Sequence, residues 1–431
     1  MNQSTMIKKD LLDTLYEKLE NFREQGKNIS ELNPILALAD DICEQLYQKK
    51  IGRDDLNLLI VQMGSQLWVN QISELRIKTG AGKDVKTVLD TMDLASVDVG
   101  KTIYHAVFTA HPVFSLDAAN SFKLSEMAGK DRTKPFPNNA YCPRSEINLQ
   151  DEHNEATAAI KNAREAVMSL HRSILKAKHS KNLPGWRDAV PQLFAVSTWV
   201  GYDLDGRSDI SWRDSFKLRL SEKKTSLDLY IEKLSPFIES HPLVGQMVDE
   251  LRVERKVTRA DLARFSKNED NVFVDAANLL SERRDKLIQS KSFAKRLQKI
   301  SANTQNPNNA IELLAIAGDI TSHGFGLGEL HLRINALQLK NAMGVVDGKG
   351  NFVNLNDGRS RTIVERLAER ISLESGSSIN FQNLNHEKAT ARRQLMLAAQ
   401  ILKHIDSDQP IRLLIAECEH PVTVMSALYL A

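Results

Sequence analysis

The sequence predicts an α/β fold that is predominantly helical. Two observations carry this reading. Apolar residues recur at helical spacing over most of the chain, and four short apolar or β-branched runs (103–112, 193–203, 325–334 and 411–418) end in polar turns. Long helical stretches separate those runs, and strands joined by such connections pair in parallel.

The elements follow in order. From residue 6 to about 80, Ile7, Leu11, Leu12, Tyr16, Leu19 and Phe22, then Leu59, Met63, Leu67 and Ile72, mark amphipathic helices. IYHAVFTAHP (103–112) is the first strand, closed by Pro112, which cannot continue a ladder. EATAAIKNAREAVMSLHRSILKA (155–177) reads as a helix, and LFAVSTWVGYD (193–203) as the second strand. A helix over DNVFVDAANLLSERRDKLIQ (270–289) precedes the third strand, FGLGELHLRI (325–334), and VVDGKGNFV (345–353) reads as a hairpin turn. IRLLIAEC (411–418) is the fourth strand, with Glu417, Cys418 and His420 in a strand-to-helix turn. No composition shift marks a boundary, so residues 1–431 read as a single region, helical over 1–100 and strand-bearing over 101–431.

A chain of 431 residues with 42% hydrophobic content can bury a large core. Lys plus Arg (57) nearly balance Asp plus Glu (55), and the net charge of +2 leaves no footprint for nucleic acid or an acidic membrane surface. Cys43, Cys142 and Cys418 fit neither a disulfide framework nor a zinc spacing. The start MNQSTMIKKD lacks an apolar leader, and no apolar run reaches the ~18 residues of a membrane span. A cytoplasmic protein without membrane or nucleic-acid partners is expected.

In parallel α/β folds chemistry collects at the carboxyl ends of strands. His111, after the first strand, is a candidate base near neutral pH, or a strand-end histidine bonded to backbone. In GYDLDGR (201–207), Asp203 and Asp205 could orient basic groups or a metal-bound water, or could simply make turn hydrogen bonds. Arg333, a charged group among Leu332, Ile334 and Leu337, must be paired or bind an anion. Its alternative is an ion pair to Asp203 or Asp205. His153, between acidic residues and without metal-ligand spacing, reads as part of a solvated helix start.

Taken in order, TAHPV (109–113), GYDLDGR and FGLGELHLRIN (325–335) resemble the motifs TAHPT, GGDRDG and FG…LDIRQ of the phosphoenolpyruvate carboxylase family, over its amino-terminal half. The resemblance implies a partial (β/α) TIM-type barrel of about four parallel strands. It implies an enzyme that joins phosphoenolpyruvate and bicarbonate into oxaloacetate and phosphate. His111 would be the base and Arg333 the holder of anionic substrate oxygens. Asp203, Asp205 and Arg207 would be substrate-binding residues, the two aspartates shaping the neighbouring loop. It further implies magnesium, with ligands expected beyond residue 431, and either a homo-oligomer or a complementing carboxyl-terminal half to cover the open sheet edges. Val113 replaces a threonine of the family motif, Leu204 replaces its basic residue, and LHLRI keeps only the arginine and apolar frame of LDIRQ. These departures define the alternative, a catalytically inactive homologue that binds an anionic metabolite or a protein.

Overall fold

Asn148 and Ser211 show how local chemistry sets the helix starts. Each side chain accepts from the backbone N–H three residues on, and the carboxylate there, Asp151 or Asp214, accepts from the cap's own N–H. The helices Leu149–Ser180 and Trp212–Leu234 begin at these boxes. The computed structural model describes residues 3–29, 32–78, 85–109, 116–129, 144, 147–188, 190–204, 207, 209–267, 270–343, 361–373 and 379–431.

The chain divides into two units, residues 1–83 with 111–147, and residues 84–110 with 148–431. The first contains the helices Gln3–Gly26, Pro34–Tyr47, Arg53–Lys78 and Ala118–Gly129. Asn33 caps the second of these, with Pro34 in the first turn, where its missing N–H costs nothing. Trp68 and Ile72 pack against Leu116, Leu124 and Ala128.

The second unit carries a four-stranded sheet in the order β1 (Tyr104–Phe108), β2 (Phe194–Thr198), β3 (Glu329–Asn335) and β4 (Ile411–Ala416). Every pairing is parallel. β1, β2 and β4 lie within the predicted runs and β3 passes the end of its run by one residue, Asn335. The chain is α/β and 69% helical, as its periodicity indicates. Glu417, Cys418 and His420 make the turn after β4, with Glu417 at φ 56°. The expected helix over 270–289 is shorter, Asp270–Glu282. The 345–353 turn lies outside the described residues.

The sheet register sorts side chains onto two faces. Val196, Leu330, Leu332, Ile334 and Leu413 point toward helices and join apolar clusters with residues such as Ile160, Phe216, Leu397 and Leu339. A second core, around Tyr230, Val248, Phe293, Leu313 and Phe325, holds the helices between β2 and β3 together. Opposite lies a polar face carrying His105, Ser197, Glu329, His331, Arg333 and Arg412. Among the described residues no helix is long and apolar enough to cross a membrane.

Candidate functional site

The segment entering β3 is fixed by buried side chains. Tyr230 donates to the Gly324 carbonyl at 2.7 Å, Ser226 to Gly326 at 3.0 Å, Arg164 to Leu327 at 3.1 Å and Arg219 to Gly328 at 3.1 Å. Asp406 accepts from the Phe325 N–H. Arg164 is paired with Asp319, and Arg219 with Glu222 at 2.7 Å, so neither guanidinium is an isolated buried charge. A Cβ on Gly326 would collide with the Arg219 guanidinium, which explains a glycine there. The FGLG run therefore anchors the start of the strand.

At the carboxyl end of β3, Arg333 Nη1 meets Asp203 Oδ2 at 2.8 Å. The guanidinium carbon lies 4.8 Å from the centre of the Trp199 ring. Asp203 is brought there by backbone: the chain leaving β2 runs beside β3, with Arg333 N–H donating to the Tyr202 carbonyl at 3.4 Å and Leu204 N–H to the Arg333 carbonyl at 3.3 Å. Gln394 and Gln338 hold the same stretch by donating to the Tyr202 and Leu204 carbonyls, each at 2.9 Å. Gly201, at φ 89° and against Leu218, makes the bend possible. The Arg333 and Asp203 side chains remain 31% and 20% exposed, so solutes can reach the pair. Of the alternatives open for Arg333, pairing with Asp203 is the one found.

Arg207 is engaged elsewhere, with Asp209 at 2.7 Å and Glu152 at 3.2 Å. The hydrogen bond with Asp209, then that with Glu152, keeps its pKa above the ordinary arginine value, and the same bond lowers that of Asp209. His111 and Asp205 lie outside the described residues. The reading of His153 as solvated is corrected. It is buried and within 2.9 Å of Glu222, which also pairs with Arg219 and accepts from the Tyr202 hydroxyl at 3.1 Å. Burial works against the charge on Glu222, but His153 and Arg219 outweigh it and the carboxyl pKa is lowered. The cause is long-range: Glu222 sits on another helix, where helical spacing around His153 cannot reveal it.

Sequence reasoning missed a second constellation. On the polar face, His105 Nε2 of β1 lies 3.5 Å from Glu329 Oε2 of β3, and the His105 and His331 rings are 5.7 Å apart. Arg412 of β4 donates to Glu329 at 2.6 Å. Burial lowers both imidazole pKa values. Glu329 opposes this for His105, while Arg412 reinforces it for both. No sequence spacing signals this group, because its members come from separate strands and meet only through register. Magnesium prefers about six oxygens in octahedral array. Among the described residues, the group of three metal-capable side chains offers two imidazoles and one carboxylate, which does not fit that ion. Neither a protein-family model nor a curated protein matches the chain.

Proposed function

We propose that this chain forms the amino-terminal part of a phosphoenolpyruvate carboxylase-type (β/α) barrel and binds the anionic substrate at the carboxyl ends of β2 and β3. The observation that carries the reading is the state of Arg333. Nη1 is bonded to Asp203 and the guanidinium faces the Trp199 ring, and among the described residues no hydrogen-bond partner takes Nε or Nη2. A guanidinium half-held by Asp203 keeps a fixed direction and still offers donors to a carboxylate or phosphate. Consecutive parallel strands in the order β1-β2-β3-β4 suit an arc of such a barrel.

In this reading bicarbonate oxygen attacks the phosphorus of phosphoenolpyruvate, giving carboxyphosphate and the enolate. His111 takes the carboxyphosphate proton as carbon dioxide and phosphate separate, and the enolate carbon attacks carbon dioxide to give oxaloacetate. Arg333 holds anionic oxygens through these steps.

The test is bicarbonate-dependent oxaloacetate formation by the complete natural gene product. Arg333→Lys, which loses the fork but keeps the charge, is expected to lower kcat/KM by about tenfold to a hundredfold, the worth of one charge-assisted hydrogen bond. His111→Ala is expected to abolish carboxylation; undiminished turnover in that variant refutes the assignment. One observation favours a second reading, an inactive anion-binding homologue: Arg207 is already saturated by Asp209 and Glu152. Calorimetric binding of phosphoenolpyruvate that is lost in Arg333→Ala, without turnover in the parent, selects it.

A further inference from the structure

His105 and Glu329 stand near the amino ends of their strands, whereas Arg333 and Asp203 meet at the carboxyl end of β3. The polar face thus holds two separate groups. The geometry points to a binding site for a divalent transition-metal ion of the zinc class, held by His105, Glu329 and His331, with a remaining coordination position open to water.

Convergence is the first support. His105 of β1 pairs with Ala195 of β2, and Ser197 of β2 pairs with Glu329 of β3, so the register aims all three side chains to one face of the sheet, with β2 between the two strands that carry them. Their candidate ligand atoms all lie within 4.8 Å of one another. Ligands of a tetrahedral zinc, with bonds of about 2.0–2.1 Å, stand roughly 3.3 Å apart. Side-chain rotation covers the difference without moving a strand.

The second support is an unsatisfied donor set. His105 Nε2 and both ring nitrogens of His331 are buried without a hydrogen-bond partner, and His331 is only 6% exposed. Buried polar atoms are almost always paired, so three orphaned nitrogens facing a carboxylate call for an explanation. A metal ion accounts for two of the three, since one lone pair on each ring becomes a ligand and the second His331 nitrogen is left to carry the ring N–H.

The third is the chemistry of the set and its surroundings. Two imidazoles and one carboxylate are the protein ligands of an open zinc site, in which water takes the fourth position. Arg412, 50% exposed in its side chain, hydrogen-bonds Glu329 from outside and orients it, as outer-shell partners of ligating carboxylates do. Its positive charge weakens the site, and its exposure lets it swing aside. The competing structure is a metal-free polar patch in which Glu329 serves only Arg412 and His105.

The experiment is zinc titration by calorimetry of the chelator-stripped chain, with visible absorption of the cobalt(II)-loaded protein reporting coordination geometry. One equivalent is expected to bind and the cobalt bands to be intense and tetrahedral. Glu329→Gln and His331→Ala are each expected to weaken binding by at least about tenfold. His105→Ala, on the half-exposed edge strand, provides the same readout if the buried variants fold poorly. Cys418→Ser is expected to change nothing, which separates this site from adventitious binding near Cys418 and His420. Absence of a zinc isotherm in the parent, or affinity unmoved by both His105→Ala and Glu329→Gln, overturns the site. Binding is read without turnover, so the outcome stands apart from the carboxylase reading.

Discussion

Gly326 illustrates how much a single position can hold. Alanine there pushes the Arg219 guanidinium away from both Glu222 and the Gly328 carbonyl, leaving buried charge uncompensated. Gly326→Ala is expected to destabilise the protein by on the order of 3 kcal/mol, seen as a lower urea midpoint. An unshifted midpoint contradicts the packing described. At this scale legibility was uneven. Arg333 stood out because a guanidinium in an apolar strand must have a partner, and the partner proved to be Asp203. His153, His105, Glu329 and His331 did not stand out, because what makes each unusual is a residue on another element.

At the scale of elements, sequence patterning was most informative where one force dominates. The four strands read as strands because each carries apolar residues that pack under helices, Val196, Leu330, Leu332, Ile334 and Leu413 among them. The helix from Asp270 stops at Glu282 for the opposite reason. Arg283 turns in to pair with Glu254 and Asp261, Leu287 N–H donates to Glu254, and Lys223 donates to the Leu287 carbonyl, so side chains take over the backbone's hydrogen bonds. Periodicity carries no sign of that exchange. The capping box at Ser211 makes a cleaner test. Ser211→Ala is expected to cost about 1 kcal/mol of stability by chemical denaturation. A larger loss would mean that Ser211 does more than start the helix Trp212–Leu234.

For the molecule as a whole, acidity is the sharpest lever. Burial pulls the pKa of His171 down to about 4 and that of His404 to about 3, against an unfolded value near 6.5. Between pH 6.5 and 4 the unfolded chain therefore binds protons that the folded chain refuses, so stability is full above that window and falls as pH falls through it. The His171 share alone is on the order of 3 kcal/mol. Denaturation midpoints at pH 7 and pH 4.5 check it, and equal values refute it. Burial raises Asp406 and Asp261, which oppose the trend nearer the carboxylate range.

The flanks of the sheet bear on assembly. Among the described residues β1 and β4 each have a strand partner on one side only, and unpaired edges recruit other strands. Self-association is expected in light scattering, and a monodisperse monomer counts against an open barrel arc. Geometry then limits how two copies can meet. A twofold axis perpendicular to the strands joins each edge to its own counterpart, running opposite ways. An axis along the strands joins β4 of one copy to β1 of the other at two seams, keeps every strand pointing the same way, and gathers both sets of His105, Glu329 and His331 around one enclosed centre.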